Sequence, residues 1–572
     1  MDSLGSETSF EVVIVGAGIS GIIAAQRYLE VHPDCHLTII EKDYCVGGVF
    51  SKRRLYDDFW TQWTVGLAEY SDMPMERPPE EDCKNDCFRA KYTTEYLEKY
   101  VDQMHHAGRS LRDRIQFNIQ VQSIEKVGEK WFLSCTDSSN SPVVFSAAKL
   151  MIANGENSLP NMPDLPGKEN FDGAILHSQD FGESNVISSD TVKHIAVIGA
   201  GKSSADMIYE AIKAGKSVSW IIRNTGTGAG FFAPIDLKTP YKNGVEAAQT
   251  RIMSSLQPSL LNEDTWWTWF LHSTNVGVGI VKRIFSMLDA EVRKRADYKG
   301  RKSTKGFEKL EYDTDIFWQN GTGGAVHHDD FWPLVAENVS VYRDDVKMLS
   351  GKTLYLNDGT HLPCDVVLCG TGWKPGIEFF NTNLLVKLGL PHRKEDEPYE
   401  MTAKWEKLTL EADEKVTKKF LLLAHPPAHS HRHVQTTPYR LYNSIAPLND
   451  DSILFMNHVT AGNKLFAAEA QAIWAVAYFD KNIVLPSIEE REKEVAAWIA
   501  WCRRRYLSNG ERGNFAAFDS VPYVDKLLKD IGATAHRKGW WRDIFEPFMP
   551  GDLGKAWQEY VGHRGDDPTS SP

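Results

Sequence analysis

What is missing narrows this 572-residue chain before any motif is read. It has only eight cysteines, scattered without pairing order, which suits a reducing compartment rather than a disulfide-built scaffold. The one close pair, Cys83 and Cys87, reads as two free thiols in a polar loop. No apolar run reaches the roughly 18 residues of a spanning helix. No basic block stands out either. With 77 acidic residues against 64 basic ones the net charge is −13, which argues against nucleic acid as a main partner. The first strand begins near Phe10, too early to leave room for a secretory leader, so a soluble, cytoplasmic protein is expected. What is present is core-forming: 42% of the residues are hydrophobic, in a chain long enough for about two to four domains.

The opening stretch carries the first chemistry. Val12 to Val15 is a short apolar run suited to a buried parallel strand, followed at once by Gly16-Ala-Gly18-Ile-Ser20-Gly21. Ile22 to Leu29 reads as an apolar helix, and His36 to Ile40 as a second strand ending on Glu41. Gly16 allows the tight turn, Gly18 lets a pyrophosphate approach the backbone, and Gly21 lets the helix pack on the strand. Phosphates then face the free N–H groups of the helix N-terminus. Glu41, 20 residues after Gly21, is placed to accept from ribose hydroxyls. Gly47 and Gly48 mark a loop running close to the same ligand. Aromatics crowd Tyr56 to Trp63, a helix is expected over Tyr92 to Ala107, and hairpin strands over Ile115 to Val121 and Trp131 to Cys135. Val143 to Ala153 returns as a strand, and Pro160, Pro163 and Pro166-Gly167 mark a linker.

A second unit opens at His194. Ile195 to Ile198 leads into Gly199-Ala-Gly201-Lys-Ser203-Ser204, a helix to Ala214, and a strand from Ser217 to Ile222 closed by Arg223. Ser204 takes the third glycine's place. Arg223 stands where an acid is expected, 19 residues after Ser204. An acid would repel a 2′-phosphate, whereas a guanidinium pairs with one, so the residue favours NADPH over NADH, unless it is simply a solvated cation. Residues 225–335 form a less regular insert with the aromatic cluster Thr265 to Phe270 and with Phe331-Trp332. These fit a packing face, a substrate-cavity wall or, less well, shallow membrane contact. An apolar strand ending in Cys369-Gly370-Thr371-Gly372-Trp373 repeats the pattern of Leu150 to Gly155, which implies two crossovers between a pair of domains. His429, His431 and His433 alternate in a loop, but no thiolate or carboxylate completes a metal set, and no metal site is expected. Helices are expected from Phe466 to Phe479 and from Ile488 onward, with a disordered tail after Gly562.

Between the two units lies Phe171-Asp-Gly173-Ala-Ile-Leu-His177-Ser178-Gln-Asp-Phe181. It resembles the FxGxxxHSxxY/W fingerprint of the flavin-containing monooxygenases and the related Baeyer–Villiger monooxygenases. Cys369 to Trp373 is similar to the family's ATGY segment, Ala153-Asn-Gly155 to its first linker, and Ala468-Glu-Ala-Gln471 with Leu485-Pro486 to its late AExQ…LP segment. The resemblance spans roughly Phe10 to Ser487 and implies an α/β fold: two Rossmann-like domains, the second inserted in the first, with a helical C-terminal extension. The divisions drawn are 1–155 and 361–487 for FAD, 156–360 for NADPH with the 225–335 insert, and 488–572 for the extension.

Carried over by position, the resemblance implies FAD at Gly16, Gly18, Ser20, Gly21, Glu41, Lys42 and Gly48, with the Val121 backbone at adenine. NADPH is implied at Gly199, Gly201, Ser203, Ser204 and Arg223, with His177 and Thr371 beside the cofactors. Gln62 occupies the position of a family Asn, ten residues before Asp72 in the SDxP turn, and is the candidate catalytic side chain. The implied chemistry is NADPH reduction of FAD, then O₂ addition to a flavin C4a-(hydro)peroxide, held dry by the protein. His177-Ser178 with a non-Trp aromatic looks more like the heteroatom-oxygenating branch. The expectation is N- or S-oxygenation of a fairly large apolar or aromatic molecule, a natural-product amine or alkaloid being one example. Baeyer–Villiger oxygenation, flavin oxidation without oxygen insertion, and a non-catalytic nucleotide sensor are the alternatives.

Overall fold

The computed structural model describes residues 7–236, 239–303, 305–321, 323–429 and 434–564. Strand β1 (Glu7–Val15) has its last four residues buried and runs parallel to β2 (Leu37–Ile40), with helix α1 (Ile19–Val31) between them. Then come β3 (Trp60–Thr64), α2 (Lys91–Gln103), β4 (Ile115–Gln116), β5 (Gln120–Val127), β6 (Lys130–Thr136) and β7 (Pro142–Ile152). The expected hairpin from Ile115 is corrected here. β4 pairs in parallel with β2, and the hairpin is made by β5 and β6. One edge of β7 is divided: residues 142–147 pair with β6, and Leu150 to Ile152 pair in parallel with a strand from much later in the chain.

The chain next crosses through β8 (Leu159–Pro160) into a second sheet. Its elements are β9 (Ala174–His177), β10 (His194–Ile198), α3 (Lys202–Lys213) and β11 (Ser217–Ile222). An insert follows with α4 (Trp266–Ser273), α5 (Asn275–Ala296) and β12 (Gly323–Val326), then β13 (Val339–Arg343) and β14 (Val366–Cys369). The order is β9-β14-β10-β11-β13, parallel throughout. Because β14 is sandwiched between β9 and β10, the division expected at 360 falls too early, and the second unit runs to Cys369. The chain returns through β15 (Trp373–Lys374), which pairs antiparallel with β8. The two crossings therefore lie side by side.

Then follow α6 (Tyr399–Lys419), β16 (Ile453–Phe455), α7 (Lys464–Phe479), α8 (Ile488–Arg505), α9 (Ser520–Asp530), α10 (Trp540–Phe545) and α11 (Pro550–His563). β16 is the late strand that completes the first sheet beside β7, so the second unit is inserted in the first. From Leu465 to Phe479 helix α7 is buried and is apolar but for Glu469 and Gln471. Such a helix needs cover on every side, and α1 before it with α9 and α11 after it supply that cover. Helix α11 continues past Gly562 to His563, and Arg564 pairs with Asp480 at 2.7 Å, so these two residues do not belong to a disordered tail; the rest of that expected tail lies outside the described residues. His431 and His433 lie outside the described residues. Among the described residues no cluster of metal-ligating side chains occurs, and all eight cysteines are free thiols. Among the described residues no helix is long and apolar enough to cross a membrane.

Candidate active site

Both glycine turns sit at the carboxyl ends of parallel strands, where open α/β sheets bind ligands. At the first, Gly16 has φ +107°, and a Cβ there would lie 2.8 Å from the Ala153 carbonyl oxygen. A Cβ on Gly21 would collide with the Gly16 carbonyl. Gly18 is different. Its backbone is extended, and a Cβ would meet nothing nearer than the Gly48 Cα at 3.7 Å. Gly18 and Gly48 thus face each other across a gap lined by backbone. Helix α1 begins here without a side-chain cap, so its first N–H groups are free for an anion. Ser20 is buried in the first turn of that helix.

Glu41 is buried, and its two oxygens accept from the backbone N–H of Ala17 (2.7 Å) and Asp43 (2.9 Å). Burial pushes its carboxyl above the usual range while those two bonds pull it back. Each oxygen keeps a second lone pair for a ribose hydroxyl. Lys42 instead donates to the Ser158 carbonyl at 3.0 Å and ties the turn to the first crossing. Val121 pairs with Cys135 beside a bulge in the β5–β6 ladder. Buried polar atoms without a protein partner gather on this side of the fold. They include Ser51 Oγ and Trp63 Nε1 after the Gly48 loop, Asn154 Oδ1 after β7, and Asn457 Oδ1 with both His458 ring nitrogens after β16. A gap walled by glycine, a bare helix terminus and unused buried donors and acceptors fit a dinucleotide.

The second turn repeats the plan. Gly199 has φ +122°, and a Cβ there would strike the Gly370 carbonyl. Ser204 is fully buried, its Oγ donating to that same carbonyl at 3.4 Å, so it performs the packing of a third glycine. Helix α3 starts at Gly201 without a side-chain cap. Ser203 lies in its first turn. Arg223 is exposed at the end of β11 and makes no hydrogen bond or ion pair among the described residues. Its guanidinium lies over Gly226, where an added Cβ would be 2.9 Å from Nη2.

The structure gives His177 and Thr371 positioning work. His177 is buried. Its Nδ1 accepts from the Gln179 N–H (3.2 Å), which leaves Nε2–H to donate to the Gly372 carbonyl (3.0 Å). Burial lowers its pKa, in keeping with that neutral tautomer. Thr371 Oγ1 donates to the Asn161 carbonyl at 2.7 Å, locking one crossing to the other. Arg54, which no motif includes, donates to the Asn157 carbonyl (2.9 Å) beside the first crossing and to Gln179 Oε1 (3.3 Å) after β9, and its guanidinium lies 5.4 Å from the Trp373 ring of the second crossing. The run Lys52-Arg53-Arg54 directly after the Gly48 loop was its only signal.

Gln62 is the exposed residue of an otherwise buried β3. Its Oε1 accepts from the Ala325 N–H of β12 at 3.0 Å, which fixes the amide orientation and leaves the NH₂ without a partner among the described residues. Beside it lies Lys202, the first residue of α3: a Cβ on Gly324 would touch both Gln62 Oε1 (3.0 Å) and the Lys202 side chain (3.1 Å). Lys202 in turn pairs with Asp206, which accepts from Tyr56 Oη at 2.9 Å. His327 stacks on Trp60 at 5.8 Å, and burial holds it well below its ordinary pKa. A segment of the first unit thus meets the second turn through Gln62. Lys202 was within the quoted motif, but only the fold shows what it faces. The aromatics of the insert divide. Phe331 and Trp332 are core, whereas Trp266 and Trp269 border a cavity of about 490 Å³ that shares no residue with either glycine turn.

Two glycine-turn nucleotide units joined by paired crossings define a two-dinucleotide flavoprotein. Residues 13–254 match the model of the pyridine nucleotide-disulphide oxidoreductase family. An FAD-dependent monooxygenase of Pyrenophora dematioidea is 30% identical over 92% of this chain and 99% of its own length. The FAD-dependent monooxygenase rstn6 of Aspergillus nomiae is 29% identical over 97% of this chain and 99% of its own. Among solved structures, cyclohexanone monooxygenase from Rhodococcus sp. Phi1 bound to NADP⁺ matches with a TM-score of 0.56 at 16% identity, over 98% of each chain. The chain belongs to the FAD-dependent monooxygenases.

Proposed function

We propose that the enzyme uses NADPH to oxygenate nitrogen or sulfur of a fairly large apolar or aromatic small molecule, in the space between the two glycine turns. The observation that carries this is Gln62, anchored by Ala325 beside the start of α3, with its NH₂ unused. Bound FAD and NADPH supply hydride transfer and O₂ activation. The protein's residues do the rest. The Gly18–Gly48 gap and the bare start of α1 hold one pyrophosphate, with Glu41 at the ribose. The Gly201 turn holds the other, and Arg223 reads a 2′-phosphate. The Gln62 amide donates a hydrogen bond toward the reacting oxygen, a fixed dipole that needs no reorganisation. Buried Trp60 and Trp63 flank it on β3, and bound cofactors would complete the exclusion of water. The heteroatom preference is supported by the His177-Ser178 segment ending in Phe181.

The test is a Gln62→Ala variant of the holoenzyme, assayed for NADPH consumption, H₂O₂ and product from amine, sulfide and ketone panels under ¹⁸O₂. The expected result is ¹⁸O in amine or sulfide products for the wild type. Removing one such donor is expected to lower product per NADPH by roughly 10²-fold, with H₂O₂ rising to match. Unchanged coupling removes Gln62 from the mechanism. Oxygenation of ketones alone replaces the reading with the Baeyer–Villiger one.

A further inference from the structure

Of the chain's 17 tryptophans, those that are exposed lie on two short helices. Trp266, Trp267 and Trp269 are on α4, and Trp540 and Trp541 on α10, with Trp266 71% and Trp540 73% exposed. Both helices border the segment Arg251–Ser255. Trp267 Nε1 donates to Ser255 Oγ at 3.0 Å, and Arg251 Nη1 lies 3.4 Å from Asp543 of α10. Helix α5 continues the pattern. Its inner stripe of Gly277, Val281, Phe285 and Val292 is buried. A second apolar stripe of Val276, Ile280, Ile284 and Met287, spaced three and four residues apart, is left in solvent, with Met287 65% exposed. The two helices cross backbone to backbone, because a Cβ on Gly277 would strike the Phe270 carbonyl. Tryptophans and stripe are therefore parts of one fixed hairpin.

Scattered exposed apolar residues need no explanation, but a clustered set of this kind does. We propose that the 266–296 hairpin, with α10 beside it, seats the enzyme on the surface of an anionic lipid bilayer. Charge selects this occupant. From Asn275 to Leu288 there is no acidic residue, although the chain as a whole carries −13. Lys282 and Arg283 are exposed on that stretch and make no ion pair among the described residues. Indole rings prefer the headgroup level of a bilayer, aliphatic side chains enter the acyl boundary, and Lys and Arg meet anionic headgroups. A second copy of the chain on the same stripe would set these unpaired cations against each other.

The test uses the full-length holoenzyme with vesicles of phosphatidylcholine, alone or with phosphatidylserine. Co-flotation with the anionic vesicles is expected, with a blue shift of tryptophan emission and release by high salt. The double variant Trp266→Ser/Trp269→Ser is expected to lose the blue shift and most binding. Lys282→Glu/Arg283→Glu is expected to weaken binding by roughly thirtyfold or more. NADPH oxidation in vesicle-free buffer is expected to be unchanged in both. The proposal is overturned if the wild type ignores both vesicle types, or if both double variants bind as well as it does. It is also overturned if sedimentation shows a dimer that Trp266→Ser/Trp269→Ser dissolves, since the face then belongs to a second copy.

Discussion

Replacing Gly18 by alanine separates ligand space from folding space. Gly18 has φ −81° and ψ −174°, an extended conformation open to any residue. A methyl there would stand 3.7 Å from the Gly48 Cα, ordinary contact distance, so the apo-protein accommodates it without movement. Loss of glycine's freedom in the unfolded chain is expected to raise apo stability by about 0.4–1 kcal/mol. The same methyl occupies the gap through which a pyrophosphate reaches the backbone. Losing one hydrogen bond to a charged acceptor costs about 1.5–3 kcal/mol. That is roughly 10- to 150-fold in the FAD dissociation constant. Gly21→Ala is the contrast, because its Cβ meets the Gly16 carbonyl inside the turn itself, so backbone must shift. Overpacking of that kind costs about 1–3 kcal/mol even without ligand. The assays are FAD fluorescence titration of apo-protein and thermal melting of both variants. If Gly18→Ala binds FAD like the wild type, or melts as early as Gly21→Ala, the assignment of the gap is wrong.

Other outcomes follow from single contacts. Arg223→Ala is expected to raise the KM for NADPH roughly tenfold or more while barely moving that for NADH, because a guanidinium–phosphate bond is lost; equal losses in steady-state kinetics would reject the phosphate role. Arg27 is buried and bonded to Glu469 at 2.5 Å, with Glu30 at 2.7 Å and Asp72 at 3.3 Å as further partners. Glu469→Gln leaves part of that charge uncompensated and is expected to cost about 3 kcal/mol in urea unfolding. His272 is buried, its Nε2–H donates to the Ser255 carbonyl at 2.8 Å, and burial lowers its pKa to about 4. The depressed value means that its contribution is complete above the unfolded value near 6.5 and is lost as pH falls toward 4. Stability is expected to be about 2 kcal/mol lower at pH 5 than at pH 7 on this account, and a His272→Gln variant should flatten that slope.

The turns were legible because their demands are local. Gly16, Gly21 and Gly199 answer to atoms of their own turn or of the neighbouring strand end, and the spacing of small residues records that. The inserted order was legible from the two repeated strand endings. The limit of the second unit was not, because β14 declares its sheet only by lying between β9 and β10. The same holds for Ile115, whose partner is Ile39 rather than the next strand. Glu469 and Gln471 stood out as a motif, yet their role needed the fold. Glu469 meets Arg27 and Ser71, and Gln471 meets Asn457 and Tyr523. Composition also could not tell Trp332, in the core, from Trp266, in solvent, since both sit in equally apolar stretches.

The pairing of Leu159 with Lys374 and of Pro160 with Trp373 means that the inserted unit enters and leaves through adjacent rungs of one tiny ladder. Its two ends are within one strand spacing, roughly 5 Å. The unit from 161 to 372 is clasped at a second place as well: Phe285, Phe317 and Trp318 share a buried core with Trp405 and Trp501, and Arg251 pairs with Asp525 at 2.7 Å, so cutting at the ladder alone would not free it without exposing that core.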